Sequence, residues 1–310
     1  MEILRTPEER FDNLHDYNFA PNYINILDQN LGELRMHYLD EGRQFSKVAL
    51  LLHGEPTWSY LYRNMIPILV KNGIRVIAPD FIGFGKSDKP SDRGSYSYNG
   101  HVEWIKLFFR KLNLKNVTLF GQDWGGLIGL RLLCDNQESF DAVMIGNTAL
   151  PTGDHDLGKP FEAWREFSQT NIPFKIGPII HRGCVSGLKQ AEIDAYDAPF
   201  PNEKYKAGAR QFPILVPSST QDPTRVNQLA AWEVLKKWNK PFLTCFSDSD
   251  PIMRGLEKTF IEIVPGAKNQ EHFIAKGAGH FLQEDVGPYL ATRMADLINC
   301  LDDYNIAGTT

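Results

Sequence analysis

The first candidate for covalent chemistry is an aspartate in a glycine-rich turn. Asp123 lies in the segment Val117-Thr-Leu-Phe-Gly-Gln-Asp-Trp-Gly-Gly126, between Gly121 and Gly125. This is the G-x-S-x-G pattern of a nucleophile on a sharp turn between a strand and a helix, with Asp in place of Ser. An Asp that merely caps a helix at a glycine-rich turn would look similar. The paired glycines and the motifs that follow favour the nucleophile.

A base and an acid follow later in the chain. His280 lies in Gly277-Ala-Gly-His-Phe281, a glycine-rich turn after an apolar run. Asp250, which precedes Pro251, is our first choice for the acid that orients His280, and Asp248 is the second. The order nucleophile, acid, base is that of α/β-hydrolase triads. The alternative interpretation of His280 is a lone surface histidine, which would not be expected to complete this order.

The segment His53-Gly-Glu-Pro-Thr-Trp58 follows an apolar run that ends at Leu52. In α/β-hydrolases a loop at this position provides one backbone N–H for an oxyanion, and the residue after the nucleophile provides the other. The corresponding donors here are the backbone N–H groups of Glu55 and Trp124. A plain turn after a strand is the alternative interpretation of this segment.

A carboxylate nucleophile indicates a particular reaction. Unlike a serine hydroxyl, an aspartate is already ionised at neutral pH and needs no base before it attacks a saturated carbon. Displacement of a leaving group from that carbon would leave an alkyl ester on Asp123. His280, held by Asp250, would then activate water to hydrolyse that ester. The products would be an alcohol, the departed anion and a proton, and neither a metal nor a cofactor is required.

These motifs need strands that end at one edge of a sheet, and the chain supplies suitable runs. Strands are predicted at Tyr23–Leu27, Leu34–Tyr38, Val48–Leu52, Val76–Ala78, Val117–Phe120, Ala142–Ile145, Phe242–Phe246 and His272–Ala275. Helices are predicted at Leu61–Val70, Val102–Leu112, Phe161–Gln169, Ala191–Tyr196 and from about Tyr289 to Leu301. This alternation predicts an α/β fold with a mostly parallel central sheet flanked by helices.

The alternation stops after Asn147, and no buried strand is evident from Ala149 to Pro217. We therefore predict an inserted helical cap domain at 149–217. The α/β core would comprise residues 1–148 as its first part and 218–310 as its second part.

Composition excludes several classes of protein. The 310 residues are 42% hydrophobic and 23% charged, which is an ordinary globular balance, and the net charge is −5. No basic excess is available for nucleic acid. Gly85-Lys86-Ser87 lacks the preceding glycine of a phosphate-binding loop, because position 80 is Asp. No stretch has the length of a membrane span and the N-terminus does not have the pattern of a signal peptide, so we predict a cytoplasmic protein.

The four cysteines, Cys134, Cys184, Cys245 and Cys300, are widely spaced and form no C-x-x-C pair. Zinc and thioredoxin-like sites are therefore unsupported. We interpret all four as buried thiols in a reducing compartment.

The chain resembles the α/β-hydrolase superfamily, and most closely the haloalkane dehalogenases, over essentially its whole length. The segments that carry the resemblance are His53–Trp58, Asp80–Asp88, Gly121–Gly125, Phe161–Trp164 and Gly279-His280. The resemblance is strongest to the branch, represented by the 1,2-dichloroethane dehalogenase, that binds halide with two tryptophans and has Glu after the His-Gly pair. It implies an α/β-hydrolase fold, a small haloalkane as substrate and a halide ion as product. We further expect a monomer without nucleic-acid or membrane partners.

The two tryptophans that the resemblance assigns to the halide site are Trp124 and Trp164. An indole N–H is only a donor and brings no competing negative charge, whereas an ionised Glu55 carboxylate could not donate. Trp164 could alternatively be a packing residue of a cap helix, on the same face as Phe161.

Three alternative functions are compatible with parts of this sequence. An epoxide hydrolase also uses Asp in a G-x-D-W-G turn, but it needs two cap tyrosines as donors, for which Tyr196 and Tyr205 are the candidates. A non-catalytic binding protein of this fold should lack a triad residue, and none is missing. An ester hydrolase is less favoured, because an Asp nucleophile would form a mixed anhydride.

Overall fold

The computed structural model describes residues 2–301. Within them the strands are β1 Ile3–Leu4, β2 Asn22–Asp28, β3 Gly32–Glu41, β4 Val48–Leu52, β5 Arg75–Pro79, β6 Lys89–Pro90, β7 Val117–Gln122, β8 Phe140–Gly146, β9 Phe242–Ser247 and β10 Phe273–Ala275. Eight of them form one sheet in the order β10-β9-β8-β7-β4-β5-β3-β2, and β1 pairs with β6. From β10 to β5 all neighbours are parallel, and β3 and β2 are antiparallel.

The helices are α1 Ile66–Lys71, α2 Tyr98–Lys111, α3 Trp124–Cys134, α4 Lys159–Thr170, α5 Ile176–Gly183, α6 Gln190–Asp197, α7 Ala207–Leu215, α8 Arg225–Leu235, α9 Glu257–Ile263 and α10 Leu282–Asn299. Among these described helices, none combines the length and the apolar composition that would be needed to cross a membrane.

The predicted fold class is confirmed, and the reason lies in the pattern of apolar residues. Each of the eight runs predicted as strands overlaps one strand of the large sheet. All five residues of β4 are buried, as expected for a central parallel strand covered by helices on both faces. The antiparallel strand β3 instead mixes buried and partly exposed positions. Consecutive parallel strands need crossover connections, and helices such as α2 and α3 supply them.

The helix boundaries differ most from the prediction in two places. The expected helix Leu61–Val70 begins only at Ile66, because Ser59–Tyr62 form a tighter 3₁₀ turn. The last helix begins at Leu282 rather than near Tyr289. Its first turn continues across a kink at Val286, and Pro288 lies inside it, so the sequence alone suggested a later start.

Four helices, α4 to α7, follow β8, and within the described residues no strand occurs between β8 and β9. They occupy the segment predicted as the cap. The division of the chain into 1–148, 149–217 and 218–310 stays a prediction.

One prediction about the cysteines was wrong. Cys134, Cys184 and Cys245 are buried thiols, but Cys300 is exposed. Cys300 is the C-cap residue of α10 and is exposed together with Asn299, whereas Ile298 and Leu301 on either side of them are buried.

Candidate active site

Asp123 is held in a strained turn between β7 and α3. Its backbone has φ 51° and ψ −127°, a conformation that non-glycine residues rarely adopt and that is typical of functional turns. The turn allows no side chain at its flanks. A Cβ on Gly125 would lie 1.8 Å from the Leu52 carbonyl oxygen, and one on Gly121 would lie 2.7 Å from the Gly125 carbonyl oxygen. The two glycines therefore allow the backbones of β4, β7 and α3 to come into contact beneath the Asp123 carboxylate.

The loop after β4 approaches the same carboxylate. The backbone N–H of Glu55 donates to Asp123 Oδ1 at 2.8 Å. Gly54 permits this approach, because a Cβ on it would lie 2.5 Å from the Asp123 Cβ. The N-terminus of α3, which begins at Trp124, lies on the other side of the turn, and its free N–H groups favour negative charge. Both predicted oxyanion donors therefore belong to segments that adjoin Asp123.

His280 lies between two carboxylates. Its Nδ1 is 2.7 Å from Asp250 Oδ2, and its Nε2 is 3.6 Å from Asp123 Oδ2. Burial disfavours the imidazolium, but the negative charges of Asp250 and Asp123 outweigh that cost and raise the pKa of His280 to about 10. The two carboxylates beside the ring therefore favour its charged form.

The two acid candidates occupy different surroundings. Asp250 is buried and accepts N–H donors from Ile252 and Met253 at 2.8 and 3.1 Å. Although burial opposes its charge, His280 and these donors lower the pKa of Asp250. Asp248 instead accepts from the Gly277 N–H at 3.0 Å in an exposed loop.

Two buried amides hold the histidine, and the sequence analysis missed both. The Gln122 amide nitrogen is 3.1 Å from the His280 carbonyl oxygen and 3.2 Å from His280 Nε2. The side-chain amide of Asn147 donates to the carbonyls of Gly279 and His280, each at 3.0 Å, while the backbone carbonyl of Asn147 accepts the Asp123 N–H. Gln122 is the last residue of β7, and Asn147 directly follows β8. Their position at the carboxyl edge of the sheet is the sequence signal that could have identified them as site residues.

The Glu55 side chain is buried in surroundings that favour its protonated form. It is 4% exposed, and its Oε1 is buried without a hydrogen-bond partner among the described residues. Burial and the neighbouring charge of Asp123 raise the pKa of Glu55 well above its ordinary value. An ionised Glu55 could not donate a hydrogen bond, but this site disfavours the ionised form. The protonated carboxyl group has an O–H donor.

A cavity of about 1250 Å³ lies above the sheet edge. All the predicted site residues line it: Glu55, Asp123, Trp124, Trp164, Asp250 and His280. The five sequence segments that contribute them are far apart in the chain. No group of three or more His, Cys, Asp or Glu residues within 2–301 is arranged to hold a metal ion.

The indole N–H groups distinguish the tryptophans of this chain. Those of Trp58, Trp104 and Trp232 donate to protein oxygens, and Trp238 is buried away from the site. The remaining two, Trp124 and Trp164, line the cavity, and neither N–H donates to another described residue. Trp124 is wedged between Tyr98 and Phe212, and Trp164 lies near Phe167 and Phe174.

The tyrosines that an epoxide hydrolase would need are outside this cavity. Tyr196 is fully buried and donates its hydroxyl to Glu284. Tyr205 is partly buried in a 3₁₀ turn before α7, and it is absent from the cavity lining. Neither hydroxyl is therefore placed to bind a substrate oxygen beside Asp123.

Comparisons with known proteins show which family this chain belongs to. The alpha/beta hydrolase fold family matches residues 48–285. A haloalkane dehalogenase of Psychrobacter cryohalolentis is 55% identical over 96% of this chain and 99% of its own. One of Mycolicibacterium paratuberculosis is 47% identical over 95% of this chain and 97% of its own. Among solved structures, the tetrameric haloalkane dehalogenase DpaA of Paraglaciecola agarilytica superposes with a TM-score of 0.88 and 35% identity, covering 94% of this chain and 97% of that one.

Proposed function

Because the chain belongs to the haloalkane dehalogenases of the α/β-hydrolase family, we propose that it converts small haloalkanes to alcohols through a covalent ester on Asp123. The observation that carries this mechanism is the Asp123 carboxylate itself. It lies at a strained turn that lines the cavity, and its Oδ2 is 3.6 Å from His280 Nε2.

In the first step, a carboxylate oxygen of Asp123 attacks the carbon that bears the halogen. The C–O bond forms as the carbon–halogen bond breaks, and the electron pair leaves with the halide. The indole N–H groups of Trp124 and Trp164 stabilise the developing negative charge, because neither donates to another of the described residues. The apolar rings around them exclude water, which strengthens this interaction.

The second step returns the enzyme to its starting state. Water attacks the carbonyl carbon of the ester and gives its proton to His280 Nε2. The backbone N–H groups of Glu55 and Trp124 stabilise the tetrahedral oxyanion, a role typically worth about 3 kcal/mol for each donor. Collapse of that intermediate releases the alcohol and restores the Asp123 carboxylate, and His280 passes its proton to solvent.

The charge state of His280 couples the two steps. Asp123 is one cause of the raised pKa of His280. Esterification removes the charge of Asp123, so the imidazolium then loses its proton more readily and Nε2 becomes available as a base. The Gln122 amide, a donor 3.2 Å from that nitrogen, favours the same neutral form.

The test is to separate halide release from turnover. His280→Ala should release one bromide per enzyme from 1,2-dibromoethane and then stop, with mass spectrometry placing a bromoethyl ester on Asp123. Asp123→Ala should show neither bromide release nor adduct.

His155→Ala is the matched control, because His155 lines the same cavity away from Asp250. That variant should turn over many times. A His280→Ala enzyme that releases no bromide and carries no adduct would contradict the covalent mechanism. Opening of epoxides by the wild-type enzyme, without halide release from any haloalkane, would favour the epoxide hydrolase instead.

A further inference from the structure

The catalytic cavity extends beyond the reaction centre into a groove between α8 and α9. On α8 and the residue after it, Leu229, Trp232, Glu233 and Lys236 line this extension; on α9 and the residue before it, Leu256, Thr259, Phe260 and Ile263 do so. Both sets follow the spacing i, i+3, i+4, i+7. Each helix therefore presents one whole face to the cavity.

The floor of this groove is aromatic. The rings of Trp232 and Phe260 stack with centroids 5.3 Å apart. The Trp232 N–H is bound to the Leu150 carbonyl at 2.9 Å, so the indole offers the groove an apolar ring and no free donor. In this respect Trp232 differs from Trp124 and Trp164, which line the same cavity but whose N–H groups donate to no other described residue.

The walls are apolar side chains that are left open to solvent. Leu229 is 42% exposed, Leu256 39% and Ile263 37%. Large apolar side chains grouped around an opening are typical of ligand-binding grooves. Ile252 and Met253 line the cavity too, and their N–H groups bind Asp250, so the apolar lining begins beside the triad acid.

We propose that this groove, lined by Leu229, Trp232, Leu256, Phe260 and Ile263, binds the alkyl tail of long-chain terminal haloalkanes. The inference rests on the proposed function, because the halogen-bearing carbon must lie at Asp123. The α8 face from Leu229 to Lys236 spans about 10 Å at the usual rise per residue, enough for several methylenes. The exposed ion pair between Lys236 and Glu233 marks its polar end.

The substrate tail fits this groove better than a protein segment does, because the groove is continuous with the cavity that contains Asp123. An alkyl tail that runs from the reaction centre into the groove is removed from water along its whole length. Each methylene that does so should improve kcat/KM by up to about fourfold, until the chain reaches the end of the groove.

The experiment compares kcat/KM for a series from 1-bromopropane to 1-bromodecane in the wild-type enzyme and two variants. Leu229→Glu places a charge in the groove at a half-exposed position, where folding should survive. Val226→Glu is the matched control, because Val226 lies one turn earlier on α8, is 70% exposed and does not line the cavity.

In the wild type, kcat/KM should rise with chain length and then level off. Leu229→Glu should lower kcat/KM for 1-bromodecane by about tenfold or more, since several buried methylenes are worth that much. The value for 1-bromopropane should be unchanged in both variants, and Val226→Glu should leave the whole series unchanged.

A flat dependence on chain length in the wild type would overturn the inference, and so would an equal loss for short and long substrates in Leu229→Glu. A change of oligomeric mass in Leu229→Glu, with chain-length dependence intact, would assign the groove to contacts between copies. In each of these cases bromide release from 1-bromopropane would still support the proposed function. Failure of the whole series to release bromide would contradict the proposed function itself.

Discussion

Asp250 and Asp248 are two residues apart but differ in what they contact. Asp250 is buried against His280, whereas Asp248 bonds to the backbone of an exposed loop. Asp250→Asn should slow ester hydrolysis by about three to four orders of magnitude, the scale seen when a triad acid loses its charge. Halide release in the first turnover should continue, so the alkyl ester should accumulate.

Asp248→Asn is the matched control for this prediction, because the same change is made two positions away. It should leave steady-state turnover nearly unchanged, as measured by bromide release from 1-bromopropane. If the large loss followed the change at position 248 instead, Asp248 would be the residue that orients His280.

The free N–H of Trp164 leads to a second prediction at the scale of single residues. Trp164→Phe keeps an aromatic wall but removes one donor to the halide. Halide binding should weaken roughly ten- to hundredfold, the usual cost of a hydrogen bond to a charged group. Displacement of chloride, the poorest leaving group, should slow more than displacement of iodide. Bromide titration followed by tryptophan fluorescence, together with single-turnover halide release, measures both effects.

Trp232→Phe provides the comparison, because Trp232 lines the same cavity with its N–H already bound to Leu150. It should bind bromide as the wild type does. Wild-type bromide affinity in Trp164→Phe would make Trp164 a packing residue, and the halide would then need another donor.

At the scale of elements, the turn between β7 and α3 depends on the absence of side chains. Gly125→Ala should lower the free energy of unfolding by more than about 3 kcal/mol, because its Cβ would lie 1.8 Å from the Leu52 carbonyl oxygen. That atom belongs to the backbone of β4, at the centre of the sheet, and cannot rotate away. Denaturant titration measures the loss, and activity should fall with it because Asp123 would move.

Gly287→Ala in α10 is the corresponding control, since the nearest atoms to its Cβ would be 3.6 Å away. Its stability should change by no more than about 1 kcal/mol, because Ala suits a helix better than Gly. Equal stability of the Gly125 and Gly287 variants would mean that the turn can relax around a side chain.

At the scale of the whole molecule, we predict a monomer. DpaA is described as tetrameric. In this chain the most exposed apolar side chains come from three separate segments: Leu27 from β2, Ile172 from the loop between α4 and α5, and Val226 from α8. Permanent oligomers usually bury large, continuous apolar surfaces. Light scattering behind a sizing column should therefore give about 35.2 kDa, and a mass of four chains would contradict the prediction.

The sequence was sufficient to predict the fold class and the candidate site residues around Asp123. Each of these depends on a local pattern. Buried parallel strands read as continuous apolar runs, and a nucleophile turn needs glycines at fixed positions. Parallel strands place their carboxyl ends at one edge, so residues that directly follow strands could be assigned to one site. The roles of Asp123, His280, Asp250, Trp124, Trp164 and Glu55 remain proposals, but their positions around one cavity follow from that rule.

Only the tertiary structure decided which groups are charged and which donors are free. The protonation of Glu55 depends on burial and on Asp123, which lies 68 positions later in the chain. The contact between Gln122 and His280 joins residues 158 positions apart. The free N–H of Trp164 and the groove between α8 and α9 likewise arise from packing. Desolvation and hydrogen-bond partners are properties of the three-dimensional surroundings, and no local spacing in the chain encodes them.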